Sequence, residues 1–475
     1  MNLPLEKGTG TFVLFLVLLF VTVSECKSKK TPRIAIIGGG IGGTVCAYEL
    51  SKLATKSGHD ISLDLYEEAE IGGRLATTNI DGHEFETGGS IIHVENKHMA
   101  NYVESNGLKW KSVPAGHSTK DDFGFYDGKE FVFVSSESNM WNIIDLIWRY
   151  GFDIVRFVMS GDVKTMMSHF KRIYEAQDKH IAFNNVHSLL SYMNKDFPHL
   201  MKVELKEYLK SKGFSDHFID EFIYVAINVN YNQNTNIPVF VGSVSMAGAE
   251  SGSLRSVEGG NKRVPETLLA LSDAKLIKAR VESITLRPDS TFALAVDNAS
   301  HIYDYVVVAC PLIESSEKNL KFESFPDLNI PHIKYQQTVA TLVHGELNHT
   351  FFHVGSPEKM PNQIFSVNNA LFYNSISALT PVVFDPKYDN KVFKVFSKNV
   401  LTDEQLDLLF ATRNGFTSIP WLAYPLYDTQ DRNLSFVLHN NLFYTNPIEW
   451  AASAMEMSAI SGVNAALHIS ERLKR

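Results

Sequence analysis

The sequence predicts an α/β fold: a Rossmann-like parallel sheet whose chain is interrupted by an inserted α+β lobe. Three observations carry that expectation. Ile34, Ala35, Ile36 and Ile37 form a short continuous apolar run, as a strand covered on both faces requires. Gly38, Gly40 and Gly43 follow in G-x-G-x-x-G spacing and open a helix over Thr44 to Leu53. A second strand, Ile61 to Tyr66, then ends in Glu67, 24 residues after Gly43.

Each of these residues has a physical task in binding a dinucleotide. Gly38 permits the tight turn, Gly40 lets a pyrophosphate approach the backbone, and Gly43 lets helix and strand pack closely. The helix start offers free N–H groups and its positive dipole end to the phosphate. The carboxylate of Glu67 accepts hydrogen bonds from both ribose hydroxyls, which favours a 2′-hydroxyl over a 2′-phosphate. Five residues on, Gly72, Gly73 and Arg74 add two flexible positions and a guanidinium that stays charged beside a phosphate.

At 475 residues the chain exceeds one typical core, so two or three structural units are expected. Its composition, 44% hydrophobic and 20% charged, is that of a globular protein. With a net charge of −9 and no long basic run, nucleic acid is not an expected partner. No metal site is expected either. Phe12 to Val23, FVLFLVLLFVTV, carries neither charge nor helix breaker. It is too short to span a hydrocarbon core of about 30 Å and reads as a signal-peptide core within residues 1–25, cleaved between Val23 and Lys27, or else as a retained anchor. Sequons at Asn298, Asn348 and Asn433 agree with secretory entry. The three cysteines are Cys26 at the cleavage point, Cys46 in the first helix and Cys310 at the end of the strand Tyr305 to Ala309, so no disulfide framework is expected.

Beyond Arg74, Asp81-Gly82 is a hairpin turn between strand formers, and Gly88-Gly89 break the second of those strands where backbone could lie against a cofactor. His93 follows, either facing that site or serving as a core histidine bonded to backbone. From Met140 to Asn228 apolar residues recur at three-and-four spacing, giving helices rich in Met and Phe. Such faces line an adaptable greasy pocket, pack as ordinary helices, or dip into a membrane surface. Phe240 to Asn261 is rich in glycine and serine and ends in Gly259-Gly260-Asn261. A helix over Val264 to Leu271, a strand over Lys275 to Val281, a hairpin from Ile284 to Val296 and the buried strand Tyr305 to Ala309 resume the first domain. Strands over Ile333 to Leu347 and Lys391 to Lys398 then return to the inserted lobe. Trp421, Tyr424 and Tyr427 either wall the site or pack a loop. Leu442 to Leu467 ends in a buried helix.

An acid followed by GGR after the second strand resembles FAD-dependent oxidases of the amine-oxidase and glutathione-reductase-like group. In that group a GG pair such as Gly88-Gly89 runs beside the flavin and pyrophosphate, and the position of Val281 meets the adenine edge through its backbone. The last cofactor contact there is a helix start patterned G-x-x-E-x-x-x-x-S-G. Ser453, Glu456, Ser461 and Gly462 match it with serine for the first glycine, which would aim the N–H of Met457 at the flavin N1–C2=O edge. Amine oxidases of the group place a lysine on a strand near flavin N5, and Thr338 to His344 contains none.

Within the group the chain most resembles the prenylcysteine oxidase family, through IGGGIGGT, EEAEIGGRLAT, FETGGSIIH, SVEGGNK and IEWAASAMEMSAISG, in that order over residues 33 to about 467. The resemblance implies a Rossmann-like FAD-binding domain, built from residues 31–139, 240–320 and 428–475, and a substrate lobe, helical over 140–239 and mixed-stranded over 321–427. It implies an FAD-dependent thioether oxidase of lysosomes that turns farnesyl- or geranylgeranyl-cysteine, O2 and water into cysteine, the prenyl aldehyde and hydrogen peroxide. Peripheral membrane or lipoprotein association is compatible with so lipophilic a substrate. Two alternatives stand beside it: a secreted flavoprotein that carries lipid without turnover, and an oxidase of another lipophilic amine. No residue is singled out as catalytic, because the flavin carries the redox step.

Overall fold

A computed structural model describes residues 30–111, 122–136, 138–247, 254–313, 316, 319–326, 328, 330, 333–388, 391–432 and 434–475. The run expected as a leader or anchor, Cys26, and Asn433 of the third sequon lie outside them. Residues Pro32–Arg475 form one compact unit.

The apolar run after Pro32 becomes the strand Arg33–Ile37, and it lies inside a six-stranded sheet. The order is Val437–His439, Leu442–Tyr444, Tyr305–Val308, Arg33–Ile37, Ser62–Tyr66 and Lys275–Ile277, with Val437–His439 the one antiparallel member. Ile34, Ala35 and Ile36 are fully buried because helices cover one face and a second sheet the other. The first helix, Ile41–Ser57, starts earlier than its pattern predicts and stops at Gly58 in the left-handed conformation. It packs along the closing helix Met455–Leu473: Gly462 stands where a Cβ would meet the carbonyl oxygen of Gly42 at 2.5 Å.

The strand expected over Lys275 to Val281 breaks after Ile277. Val281 instead opens the strand Val281–Leu286, which joins Phe292–Val296, Ala299–Tyr303 and Lys321–Glu323 in a four-stranded sheet. A third, seven-stranded sheet has the order Phe410–Pro425, Tyr335–Leu347, Val392–Ser397, Ser375–Ala378, Gln363–Ser366, Phe123–Tyr126, Phe131–Val134. Its last two strands fall within residues 31–139, so that stretch is shared with the inserted lobe. The cause is long-range pairing, Phe123–Tyr126 running parallel to Gln363–Ser366.

Helices fill the lobe from Asn139–Tyr150 to Tyr224–Tyr231. The glycine- and serine-rich segment begins within another helix, Val239–Ala247, because Phe240 and Val241 are buried in the lobe core with Phe197 and Phe218. Among the described residues no helix is long and apolar enough to cross a membrane. Cys46 and Cys310 are free, and burial pushes both thiols up to about 12, far from a reactive thiolate.

Candidate active site

The glycine loop is built by close approaches. Gly38 has φ +116°, and a Cβ there would lie 2.9 Å from the Ala309 backbone; at Gly43 it would lie 2.0 Å from the Gly38 oxygen. Gly40 differs, since a Cβ would meet nothing nearer than the Gly72 oxygen at 3.8 Å. Two of the three glycines are thus required by the protein itself, and the third keeps a space open.

Glu67 closes this loop from the end of the second strand. Its carboxylate accepts the Gly39 N–H at 2.7 Å and the Ala69 N–H at 2.8 Å, which fixes it beside the helix start. The Gly72 N–H donates to the Gly39 oxygen, and Gly40 bridges Gly72, so the GGR turn is laid along the glycine loop. Gly72 and Gly73 both have positive φ, as that turn requires.

Arg74 also does a task that its sequence does not suggest. Its guanidinium donates to both carboxylate oxygens of Glu449 and, at 2.6 Å, to the Ala423 carbonyl. The Tyr335 hydroxyl and the Asn446 amide donate to the same carboxylate at 2.9 and 2.8 Å. Burial alone would lower the Arg74 pKa, but Glu449 overcomes it and holds the guanidinium above its ordinary range. Arg74 is therefore a strut from the glycine-rich turn to the chain before Tyr424.

Gly88-Gly89 lie against the same turn: a Cβ on Gly88 would sit 1.9 Å from the Arg74 oxygen. Asn261, last of the GGN triplet, explains the long separation of these motifs. Its side chain donates to the Gly89 oxygen at 3.0 Å, its backbone N–H donates to Glu86 at 2.6 Å, and its Oδ1 accepts the Val257 N–H at 2.9 Å. The Met455 side chain reaches to 3.7 Å of a Cβ built on Gly89, which brings the start of the closing helix to the same place.

The closing helix begins at Ala454 without a side-chain cap, so the N–H groups of its first turn, Met457 included, remain for a ligand. Glu456 is not part of that offer. Its two oxygens accept the N–H groups of His98 and Met99 at 2.8 and 2.9 Å, capping the helix Lys97–Ser105. Ser461 donates to the Thr445 oxygen at 2.6 Å and Ser453 N–H to the Tyr427 hydroxyl at 2.9 Å. The serine, glutamate and glycine of that pattern thus shape the helix and its docking.

The remaining expected residues separate. Val281 packs with Tyr66 and Ile277 while its main chain pairs with Val296. Tyr424 stands edge-on to Tyr231 at 5.3 Å in the helical cluster, whereas Trp421 packs with Phe85 and Leu342 and its buried indole N–H has no partner among the described residues. Tyr427 is packed, donating to the Glu449 carbonyl at 3.1 Å. His93 is half-buried: its Nδ1 accepts the Glu95 N–H, and its Nε2 is buried without a partner among the described residues. Asn298 is exposed at a turn, whereas Asn348 is half-buried with its amide donating to the Leu408 oxygen.

Sequence reasoning missed three buried ionisable groups behind Gly88-Gly89. The strand Tyr335–Leu347 has no lysine, but Lys394 on the neighbouring strand is opposite Leu342, 3.4 Å from the Glu86 carbonyl and 4.8 Å from the Phe396 ring. Burial lowers Lys394 and Lys111 to about 8 and raises Glu86 to about 7. A lysine amid alternating Val and Phe was the one available signal.

An open space at Gly40, an acid beside it and an uncapped helix start fit a dinucleotide with a further ring system beyond its pyrophosphate. A family model described as prenylcysteine lyase matches residues 133–475, and one described as an NAD(P)-binding Rossmann-like domain matches residues 36–105. The chain is 41% identical to prenylcysteine oxidase 1 of Rattus norvegicus over 92% of this chain and 88% of that one. It is 34% identical to prenylcysteine oxidase 1-like of Homo sapiens, over 92% and 89%. The fold resembles cyclohexylamine oxidase from Brevibacterium oxydans, with a TM-score of 0.57 and 14% identity over 94% of this chain and 100% of that one.

Proposed function

Since the chain belongs to the prenylcysteine lyase family, we propose that it is an FAD-dependent oxidase cleaving the thioether of farnesyl- and geranylgeranyl-cysteine. The products are cysteine, the prenyl aldehyde and hydrogen peroxide, from one O2 and one water. The observation that carries the reading is convergence: the loops at Gly40 and Gly72, the Gly88-Gly89 turn and the start of the closing helix meet at one cradle. FAD bound there supplies the two-electron oxidation of the carbon attached to sulfur. Glu67 would hold the adenosine ribose, and the uncapped first turn at Met455 to Met457 would meet the ring system. Because that carbon is flanked by sulfur and an alkene, both of which spread positive charge, the protein needs no strong base. Its part is to orient the thioether and exclude water.

The apolar helical cluster, which includes Tyr231 and borders Tyr424, suits a prenyl tail. Identity of 41% to a relative named prenylcysteine oxidase 1 supports turnover. The absence of lysine from Tyr335–Leu347 speaks against an amine substrate. Entry into the secretory pathway is supported by the leader-like Phe12 to Val23 run and the three sequons, and delivery to lysosomes is proposed from the family resemblance alone.

The test is direct. Protein loaded with FAD and given farnesylcysteine in air should release free thiol and peroxide in equal amounts. A fully loaded protein that releases neither overturns the thioether oxidase and leaves the carrier.

Contact with a lipid surface belongs to the same proposal. The helices Asn139–Tyr150 and Phe152–Ser160 turn large apolar side chains to solvent, with Trp148 89%, Phe152 83% and Met159 78% exposed. Tyr150 and Ile154 of the same helices enter the lobe core, so the outer apolar face is continuous with the cluster assigned to the tail. Each inserted aromatic or Met side chain gains roughly 1.5–3 kcal/mol. The double variant W148E/F152E should therefore bind phosphatidylcholine vesicles at least ~10-fold more weakly in flotation. Its turnover of detergent-dispersed substrate should be unchanged. Unaltered flotation would remove this face from consideration.

A further inference from the structure

The helix Tyr224–Tyr231 ends on Asn232, held in the left-handed conformation at φ 54°. Its side-chain amide donates to the Gln337 carbonyl at 3.0 Å and the Thr338 hydroxyl at 3.2 Å, and its oxygen accepts the amide of Asn374. Those three residues thus satisfy one another. Asn228, one turn earlier, does not join them. It is 2% exposed, and its side-chain oxygen has no hydrogen-bond donor among the described residues.

Asn228, Asn232, Thr338 and Asn374 line a cavity of about 10 Å3 whose other walls are Val229, Phe396 and Tyr424. That is room for one water-sized group. An unpaired buried acceptor calls for a donor, because the hydration it has lost is otherwise uncompensated. Two of the walls are aromatic side chains, whose ring faces attract a cation. No carboxylate lines the space, so a metal ion is not matched. A primary ammonium has the size of a water and can direct one of its three donors to the Asn228 oxygen.

The cavity is linked to the cradle through the chain at Tyr424. Tyr424 follows Ala423, whose carbonyl holds Arg74, and the Arg74 carbonyl abuts Gly88-Gly89 at the cofactor cradle. On its other side Tyr424 packs against the helical cluster assigned to the prenyl tail. We propose that this niche receives the α-ammonium of the substrate's cysteine, with the Asn228 side-chain oxygen as its acceptor. The inference rests on the prenylcysteine reading and names the recognition that separates a free amino acid from the rest of a lipid thioether.

Two ligands isolate the contact: S-farnesylcysteine, and S-farnesyl-3-thiopropionate, which carries hydrogen in place of the ammonium. Calorimetric titration of the FAD-loaded protein, its flavin reduced beforehand and kept anaerobic so that neither ligand is oxidised, should give at least ~10-fold tighter binding of the first. Asn228→Leu should erase that preference by weakening farnesylcysteine alone, and Asn228→Asp, which keeps an acceptor, should retain it. In turnover Asn228→Leu should raise KM for farnesylcysteine by a similar factor and leave kcat within about threefold, with flavin loading and melting temperature unchanged. Equal loss for both ligands, or a preference that survives Asn228→Leu, overturns the niche. Because binding is read without turnover, a wild type that discriminates between the ligands but makes no cysteine would sink the oxidase and keep the niche.

Discussion

Gly40→Ala is expected to yield a folded, colourless protein. The backbone at Gly40, φ −76° and ψ −174°, suits any residue, and the added methyl would meet no protein atom nearer than 3.8 Å. It would stand instead where the pyrophosphate must approach. A cofactor forced away from an N–H-lined helix start should bind at least ~100-fold more weakly, about 2.7 kcal/mol. Gly43→Ala should act on both properties, because its methyl would lie 2.0 Å from the Gly38 oxygen and the turn would have to open. Flavin absorbance per protein and the melting temperature of the flavin-free forms separate the two variants. If Gly40→Ala retains normal loading, the cradle does not hold a pyrophosphate at that glycine.

Arg74→Met should be the most damaging single change outside the glycine loop. The Glu449 side chain is 1% exposed and Arg74 33%, so removing the guanidinium strands a buried carboxylate with only the Tyr335 hydroxyl and the Asn446 amide. Breaking a buried pair from one side costs about 3–5 kcal/mol, whereas replacing both partners with apolar residues is often nearly neutral. The double variant Arg74→Met/Glu449→Met should accordingly regain much of the lost stability in urea unfolding of the flavin-free protein. Its cofactor affinity should stay reduced, since the strut between the GGR turn and Ala423 is gone. Equal urea midpoints for wild type and Arg74→Met would show that the pair contributes nothing to the fold.

Those two expectations differ in how they could be found. Gly40 and Gly43 were legible because a tight turn after a buried strand leaves glycines at fixed spacing, all within a dozen residues. Glu67 was legible for the same reason, being placed by the length of one helix and one strand. Arg74 was recognised, but its bond to Glu449 was not legible, because Glu449 lies 375 positions away in the chain. Glu456 likewise matched a cofactor pattern, yet its carboxylate caps a helix 357 positions earlier. The shared strand pair Phe123–Tyr126 and Phe131–Val134 could not be placed by order along the chain, since only pairing with Gln363–Ser366 shows which sheet it completes.

By itself, the order of residues determined the parallel sheet, the glycine cradle with its acid, the interruption by a helical lobe and the family to which the whole belongs. These follow from backbone conformation and burial, which act between near neighbours and so imprint a period or a fixed spacing. Tertiary structure alone decided that Arg74 is a strut, that Lys394 and Glu86 are buried behind the Gly88-Gly89 turn, and that Asn228 is left with an unanswered oxygen among Asn232, Thr338 and Asn374. Those outcomes depend on which side chains meet across a hundred residues or more, and a meeting of that kind leaves no periodic mark in a single chain.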